Sequence, residues 1–136
     1  MHKKMPTVEV NKSQYVNYYK KALEFFQSMQ NALDQELWSS AGLSAVHAAI
    51  SANDAVLVFF HGIRSVSKDH QDAVNLTLSL VDYEGVKEAL SHLRRLLAKK
   101  NLVEYEGKLF TRSDAEDVAK HAERFIGWVK GILPRE

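Results

Sequence analysis

Arg64 and His70 have five residues between them and follow a long apolar stretch of the chain. A histidine acts as general base or acid toward a ribose 2′-hydroxyl, and an arginine stabilises the charge that develops on the phosphate. One hypothesis is therefore ribonuclease chemistry, with Arg64 and His70 as catalytic residues. The same spacing arises by chance, and a solvated loop arginine near a helix-terminal histidine is the alternative interpretation.

A second group of candidates is basic and lies on one predicted helix. No acidic residue occurs between Ala89 and Val103, where the cations are Arg94, Arg95, Lys99 and Lys100, followed by Asn101. Such a group favours phosphate binding, and we select Lys100 and Asn101, together with Arg64, as phosphate- or nucleotide-binding candidates. The alternative is a solvated face that complements the dipole of its own helix.

Polar side chains also interrupt the apolar segment Ala41–His61. His47, Asp54 and His61 recur every seven residues, so on a helix they lie within roughly 40° of one another. Polar groups on so apolar a helix need partners or water. We therefore assign these three residues a supporting polar role at the predicted site.

The fourth predicted helix has a similar interruption. Its apolar stripe ends in Lys100 and Glu104, an opposite-charge pair at helical spacing, with Tyr105 beside it. We predict that Asp54 or His61 lies near Lys100, Glu104 or Arg64. Asp54, Glu104 and Tyr105 would then hold the cations in place.

Two carboxylate and histidine pairs raise the question of a metal site. Glu88 precedes His92 by four residues, and Asp117 precedes His121 by four. On a helical wheel all four fall at the flank or outside of the apolar stripes, so we predict no metal site and no cofactor.

Composition limits the remaining choices. The chain has 136 residues, 18 Lys and Arg against 17 Asp and Glu, and no cysteine. Thiolate metal sites, disulfides and cysteine nucleophiles are thereby excluded, and attraction for nucleic acid must come from a local patch. The N-terminal residues lack the pattern of a secretory signal, and Ala41–His61 looks too short and interrupted to cross a membrane, so we expect a cytoplasmic protein without membrane contact.

Periodicity indicates how these residues are positioned. Apolar residues at helical spacing predict helices over 13–35, 41–61 and 70–82, a fourth from about Tyr83, and a fifth from about Asp114 after a capping box of Ser113 and Glu116. No strand is predicted. The expected fold class is all-α, an antiparallel up-and-down bundle of about five helices, four long and one short. Residues 1–12 are expected to be a flexible N-terminal extension and 13–136 a single domain.

Four segments carry a resemblance to a known family. They are SAVHAAISANDAVLVFFHG, SVSKDHQDAV, LRRLLAKKNLVEYEG and FTRSDAEDVAKHAERFIGWVKGIL. In type and order they resemble the HEPN domain, named for higher eukaryotes and prokaryotes and for nucleotide binding. The resemblance implies a helical bundle that usually forms a homodimer and that binds nucleotide or RNA.

Many members of that family cleave RNA through an Arg-x(4–6)-His motif near the end of the fourth helix. At that place this chain has Lys100-Asn101-Leu102-Val103-Glu104-Tyr105. The asparagine and tyrosine are kept, lysine replaces arginine, and glutamate replaces histidine, so the motif is degenerate.

Three hypotheses follow. The first is a nucleotide- or RNA-binding module without strong catalysis. The second is a metal-independent ribonuclease of the toxin-antitoxin kind, for which a nucleotidyltransferase-type partner protein is expected. The third is a structural dimeric bundle with no ligand.

Overall fold

The structure is a computed structural model that describes residues 5–134. These residues form helices α1 to α5, strands β1 and β2, and a short 3-10 turn at Lys12–Gln14. The helices are α1 Tyr15–Asp34, α2 Trp38–His61, α3 His70–Leu80, α4 Val86–Tyr105 and α5 Arg112–Ile132, and the strands are β1 Thr7–Glu9 and β2 Ile63–Ser65. The predicted all-α bundle, with four long helices and one short helix, is confirmed.

Helix α2 is the centre of the bundle and packs mainly against α1 and α5. Its alanines, among them Ala45, Ala48 and Ala52, are fully buried and let the neighbouring helices approach closely. Leucines of α4 and Phe125 of α5 complete the core. By length and composition α2 would suffice to cross a membrane, but 67% of its most apolar window is buried inside the protein. That burial also characterises the core helix of a soluble bundle.

Helix α2 ends at Gly62, which has φ 63° in the left-handed region. A Cβ at this position would lie 3.1 Å from the Val10 carbonyl oxygen, so glycine allows both the turn and the close approach. The chain then enters β2 directly. This turn sets the position of Arg64, two residues beyond the helix.

The sequence analysis predicted no strand, and this is wrong for two short segments. Strand β1 pairs with β2 in antiparallel fashion, with Val8 opposite Arg64. Hydrogen bonds from Val10 N to the Gly62 oxygen (2.8 Å) and from Val66 N to the Pro6 oxygen (3.0 Å) extend the pairing at both ends. Three-residue strands are too short to show an alternating pattern.

Strand β1 lies inside the segment expected as a flexible extension. Residues 1–4 of that segment, and residues 135–136 of the predicted domain, are outside the described residues.

Four predicted helix starts differ from those observed. Helix α1 begins at Tyr15 rather than at residue 13, and α2 begins at Trp38 rather than at Ala41. Helix α5 begins two residues earlier than expected, because Thr111 and Asp114 form the capping box while Glu116 pairs with Arg112 Nε at 3.2 Å. Helix α4 begins at Val86, because Gly85 adopts φ 83°. The predicted start of α3 is confirmed, with the Asp69 side chain accepting from Gln71 N.

Candidate functional site

A cavity of about 270 Å³ opens where α2, β2 and α3 meet. It brings together Asp54, Arg64 and His70, three of the residues selected from the sequence. Its walls are completed by Ile50, Ser65, Val66, Ser67 and Ala73. We refer to this space as the Arg64 cavity.

At this cavity the Arg64 side chain contacts residues of both α1 and α2. Its guanidinium carbon lies 5.6 Å from the centre of the Tyr18 ring on α1, a cation–π distance. Its Nε lies 3.8 Å from Asp54 Oδ2 on α2, which is an ion-pair distance beyond hydrogen-bond range. Among the residues that the structure describes, Arg64 Nε is the one buried side-chain nitrogen or oxygen without a hydrogen-bond partner. A buried donor of this kind is costly unless another group satisfies it.

Asp54 supplies negative charge from the buried side of the cavity. Burial raises the pKa of Asp54 from 3.8 to about 6, and the nearby cations Arg64 and Lys21 offset only part of that rise. The carboxylate is therefore mostly ionised at neutral pH and partly protonated at mildly acidic pH. The structure places Asp54 beside Arg64, as the sequence analysis predicted.

His70 is the first residue of α3 and lines the same cavity. Burial lowers the pKa of His70, and the positive charges of Lys100 and His47 lower it further, against a smaller opposing effect of Asp69. The imidazole is therefore neutral at pH 7. A neutral imidazole is in the protonation state that a general base requires.

Lys100 belongs to a neighbouring cavity of about 170 Å³. Its Nζ pairs with Glu104 Oε2 at 3.1 Å, so the predicted opposite-charge pair forms. The charge of Lys100 still reaches His70, which links the two cavities electrostatically. Asn101 is exposed and lines neither cavity, and Tyr105 is 91% exposed.

The two histidines of the predicted polar line, His47 and His61, do not line the Arg64 cavity. His47 is exposed and stacks on Phe25 of α1, with ring centres 5.1 Å apart. His61 Nε2 lies 2.6 Å from the Leu80 carbonyl oxygen, at the end of α3. The seven-residue spacing holds, but only Asp54 on that line faces the cavity.

Most of the cations on α4 serve contacts within the protein. Arg94 bonds to Gln71 Oε1 at 3.2 Å and also to Asn75, which fastens α4 to α3. Lys99 Nζ pairs with Asp114 Oδ1 at 3.1 Å, which fastens α4 to the start of α5. The basic run on α4 is therefore mainly a structural feature.

A buried polar network that the sequence analysis missed holds α3 in place. The Thr77 hydroxyl donates to Asn53 Oδ1 at 2.7 Å, and Asn53 Nδ2 donates to the Ala73 carbonyl oxygen at 3.2 Å. Asn53 and Thr77 are 1% and 0% exposed, which shows that this network lies inside the core. Asn53 directly precedes Asp54, so its polarity within the apolar helix was the available signal.

Arg64 offers an anion a cation with an unsatisfied donor, and His70 adds a neutral imidazole, the state of a general base. In the described part of the chain, no group of three His, Cys, Asp or Glu side chains is arranged to hold a metal ion.

Comparison with known proteins gives one match. The family model of the HEPN domain matches residues 15–132, which is most of the chain. No curated protein and no solved structure matches.

Proposed function

The chain belongs to the HEPN domain family, and from this premise we propose that it binds a phosphate-bearing ligand, a nucleotide or RNA, at the Arg64 cavity without strong catalysis. The observation that carries the proposal is the buried Arg64 Nε, which has no hydrogen-bond partner. The Arg64 side chain as a whole is 37% exposed, and a shift of its guanidinium toward the cavity would let a phosphate oxygen accept a charge-assisted bond from Nε.

The surroundings of Arg64 support an anion rather than a neutral ligand. Lys21 and Lys100 add positive charge to that of Arg64, and Asp54 is the only acidic side chain that lines the cavity. Ser65 adds a hydroxyl group to the walls, whereas the hydroxyl of Ser67 donates to Asp72 Oδ2 at 2.6 Å. The volume of about 270 Å³ suits one phosphate and part of its sugar, and a longer chain would continue over the surface.

We also propose that Lys100 and Asn101 contact phosphates outside the cavity, on the path toward Glu104. Lys100 is 21% exposed at its side chain and Asn101 is exposed, so both are accessible to a strand leaving the Arg64 cavity. Removing Lys100 should weaken binding of RNA more than binding of a mononucleotide.

The test is a titration of labelled single-stranded RNA and of ATP at low salt, followed by fluorescence anisotropy. We expect Arg64→Gln to weaken binding at least tenfold, which is about 1.4 kcal/mol. Arg95→Gln is the matched control, because Arg95 is exposed and lines neither cavity. Equal affinities of wild type and Arg64→Gln, or no binding below about millimolar, would overturn the proposal.

A second candidate function is metal-independent RNA cleavage, favoured by the shared cavity of Arg64 and His70. Against it, Lys100 stands in the place of the motif's arginine, and the Arg-x(4–6)-His spacing puts the histidine not at Glu104 but at positions 105–107, which are Tyr, Glu and Gly. Incubation of RNA with the protein in EDTA separates the two functions. Cleavage that disappears in His70→Ala would favour the ribonuclease, and intact RNA with retained binding would favour the binding module. A nucleotidyltransferase-type partner belongs to the ribonuclease interpretation and remains a prediction. A cytoplasmic location was expected under every hypothesis and also remains a prediction.

We further propose a homodimer. Large apolar side chains are exposed at the end of α4 and in the loop after it, with Leu109 81% and Leu102 52% exposed. Leu43 of α2, 55% exposed, lines the cavity of Lys100 together with Val103 and Lys108 from the same end of α4 and the loop after it. Light scattering should give twice the chain mass for wild type and the monomer mass for Leu109→Glu. A monomeric wild type at 100 µM, about the concentration used for such measurements, would exclude the dimer.

A further inference from the structure

His92 of α4 and His121 of α5 meet inside the bundle. Their Nδ1 atoms lie 2.9 Å apart, and the two residues are 8% and 9% exposed. The sequence analysis placed both at the outside of their helices, and this is wrong because α4 and α5 pack along the face that carries them. The short distance requires one proton between the two nitrogen atoms, so one ring donates its Nδ1–H and the other ring accepts.

Asp117 decides which ring is the donor. Its Oδ1 atom lies 3.7 Å from His121 Nε2, and the carboxylate attracts a proton on that nitrogen. We therefore assign the Nε2–H tautomer to His121, whose Nδ1 accepts the bond from the Nδ1–H of His92. This assignment leaves His92 Nε2 with a lone pair and no proton.

His92 Nε2 has access to a cavity between α4 and α5. The cavity has a volume of about 250 Å³ and is lined by Gly85, Glu88, Ala89, His92, Arg124 and Trp128. Within residues 5–134, Nε2 has no hydrogen-bond partner, yet Arg64 Nε is the one fully buried side-chain atom in that condition. The Nε2 atom therefore reaches solvent, and it does so through the cavity that His92 lines. We refer to this space as the His92 cavity.

The two helices present different groups to the His92 cavity. On α4, Glu88 and His92 are four residues apart, so they lie on one face and both present acceptors. On α5, Arg124 and Trp128 have the same spacing and present a cation and an aromatic ring. Among the residues that the structure describes, no ion pair joins Glu88 to Arg124. Opposite charges therefore line one cavity without pairing with each other.

The protonation state of His92 makes it an acceptor for a ligand. Burial lowers the pKa of His92, Arg124 and Arg95 lower it further, and Glu88 opposes them only in part. The imidazole is therefore neutral at pH 7, and its Nε2 lone pair can accept a hydrogen bond from an N–H group.

We propose that the His92 cavity binds an α-amino acid with an apolar side chain. The ammonium group of the ligand donates to Glu88 and to His92 Nε2 on one wall, and its carboxylate pairs with Arg124 on the other. The apolar side chain packs against Trp128. The cavity volume of about 250 Å³ lies below the range of about 300–1,000 Å³ that holds drug-sized ligands, so it suits a molecule as small as an amino acid.

A ligand with only one of the two charged groups matches this cavity less well. A carboxylic acid without an amino group leaves both acceptors of α4 without a donor. An amine without a carboxylate brings a second positive charge beside Arg124 and leaves that cation unpaired. Close analogues of a single amino acid therefore test each half of the recognition.

The experiment is a titration of the full chain with L-phenylalanine, and in parallel with L-leucine, at pH 7.5. NMR follows the histidine ring signals and the tryptophan Nε1–H signals. We expect one saturable site, with shifts of His92 Nε2 and of the Trp128 Nε1–H, which donates to the Glu84 carbonyl oxygen at 2.9 Å. Trp38 lines a different cavity, and its signal should stay unchanged. Phenylalaninamide, which lacks the carboxylate, and 3-phenylpropionate, which lacks the ammonium group, should each bind at least tenfold more weakly.

Variants at the two charged walls provide a second test. Glu88→Gln and Arg124→Gln should each weaken amino acid binding at least fivefold, and both residues are exposed, so the variants should fold. Glu123→Gln and Lys87→Gln are the controls, because both residues are exposed on the same two helices and neither lines the cavity. They should bind as wild type.

Two results with wild type alone would overturn the proposal. The first is equal affinity for L-phenylalanine and 3-phenylpropionate, because the cavity would then be an apolar cleft that does not recognise the amino group. The second is the absence of a saturable shift with either amino acid below about 10 mM. Both results are independent of phosphate binding at the Arg64 cavity, which His92 does not line.

Discussion

Arg64 Nε and Asp54 Oδ2 lie 3.8 Å apart, so the two side chains attract each other as an ion pair without forming a hydrogen bond. Each of them is left incompletely satisfied. The Nε atom has no hydrogen-bond partner, and burial raises the pKa of Asp54 to about 6. An unpaired buried donor and a buried carboxylate both lower the stability of the folded protein, and such groups are found mainly at sites where a ligand can pair with them.

Asp54→Asn should stabilise the protein at pH 7.5. The native state holds the Asp54 proton more tightly than the unfolded chain between pH 3.8 and about 6, so the contribution of this group to stability is present below pH 3.8 and is lost as pH rises through 6. Asparagine does not ionise and avoids that loss, for a gain of roughly 1–3 kcal/mol. Urea unfolding at pH 7.5 and pH 4 measures it, and the gain should vanish at pH 4.

Asp82→Asn is the matched control, because Asp82 is exposed, and it should change stability little at either pH. A loss of stability in Asp54→Asn at pH 7.5 would contradict the account, since it would make the ion pair with Arg64 a structural one.

RNA binding should strengthen as pH falls from 7.5 to 5, with a midpoint near pH 6. Protonation of Asp54, whose pKa lies at about 6, removes the charge that competes with phosphate for Arg64. Phosphodiester groups keep their charge throughout this range, so RNA without a terminal phosphate is the suitable probe. Asp54→Asn should bind tightly at both pH values. A variant that shows the same pH dependence as wild type would assign the effect to another group.

Strand β1 should position Arg64, since Val8 lies opposite it in the sheet. Val8→Pro removes a backbone N–H from the pairing and should weaken RNA binding about fivefold, or ~1 kcal/mol. Val8→Ala keeps the N–H and serves as the control, because the Val8 side chain is 42% exposed. Equal effects of proline and alanine would show that the strand pairing does not hold the arginine.

Thr77→Val should lower the free energy of unfolding by about 1–2 kcal/mol, because it leaves the buried Asn53 Oδ1 without its donor. Denaturant unfolding measures this change. Ser79→Ala on the same helix is the control and should change stability by less than about 0.5 kcal/mol, since Ser79 is exposed. If the two variants unfold alike, the network between α2 and α3 contributes no net stability.

The helices could be predicted from the sequence because their apolar stripes run for several turns. The ends of the helices depend on single residues. The left-handed conformation of Gly85 and the cap at Thr111 place the starts of α4 and α5 away from the predicted positions. Strands β1 and β2 could not be predicted, because each gains its stability from a partner more than fifty residues away along the chain.

Only part of the candidate site could be predicted from the sequence. Asp54 and Arg64 stood out as polar groups in or just after an apolar helix. The Tyr18 ring beside Arg64 looked like any core aromatic, because a contact between α1 and β2 depends on how the helices pack. The meeting of His92 with His121 likewise depends on the rotation of α4 against α5, which wheel positions alone do not fix.

The most direct test of phosphate recognition is the NMR signal of the Arg64 Nε–H group during addition of single-stranded RNA. We predict a saturable shift of this signal, as the buried Nε gains its hydrogen bond to phosphate. The Nε–H of Arg112, which already pairs with Glu116 at 3.2 Å, should stay unchanged. An unshifted Arg64 signal at saturating RNA, or an equal shift of both arginines, would contradict the account.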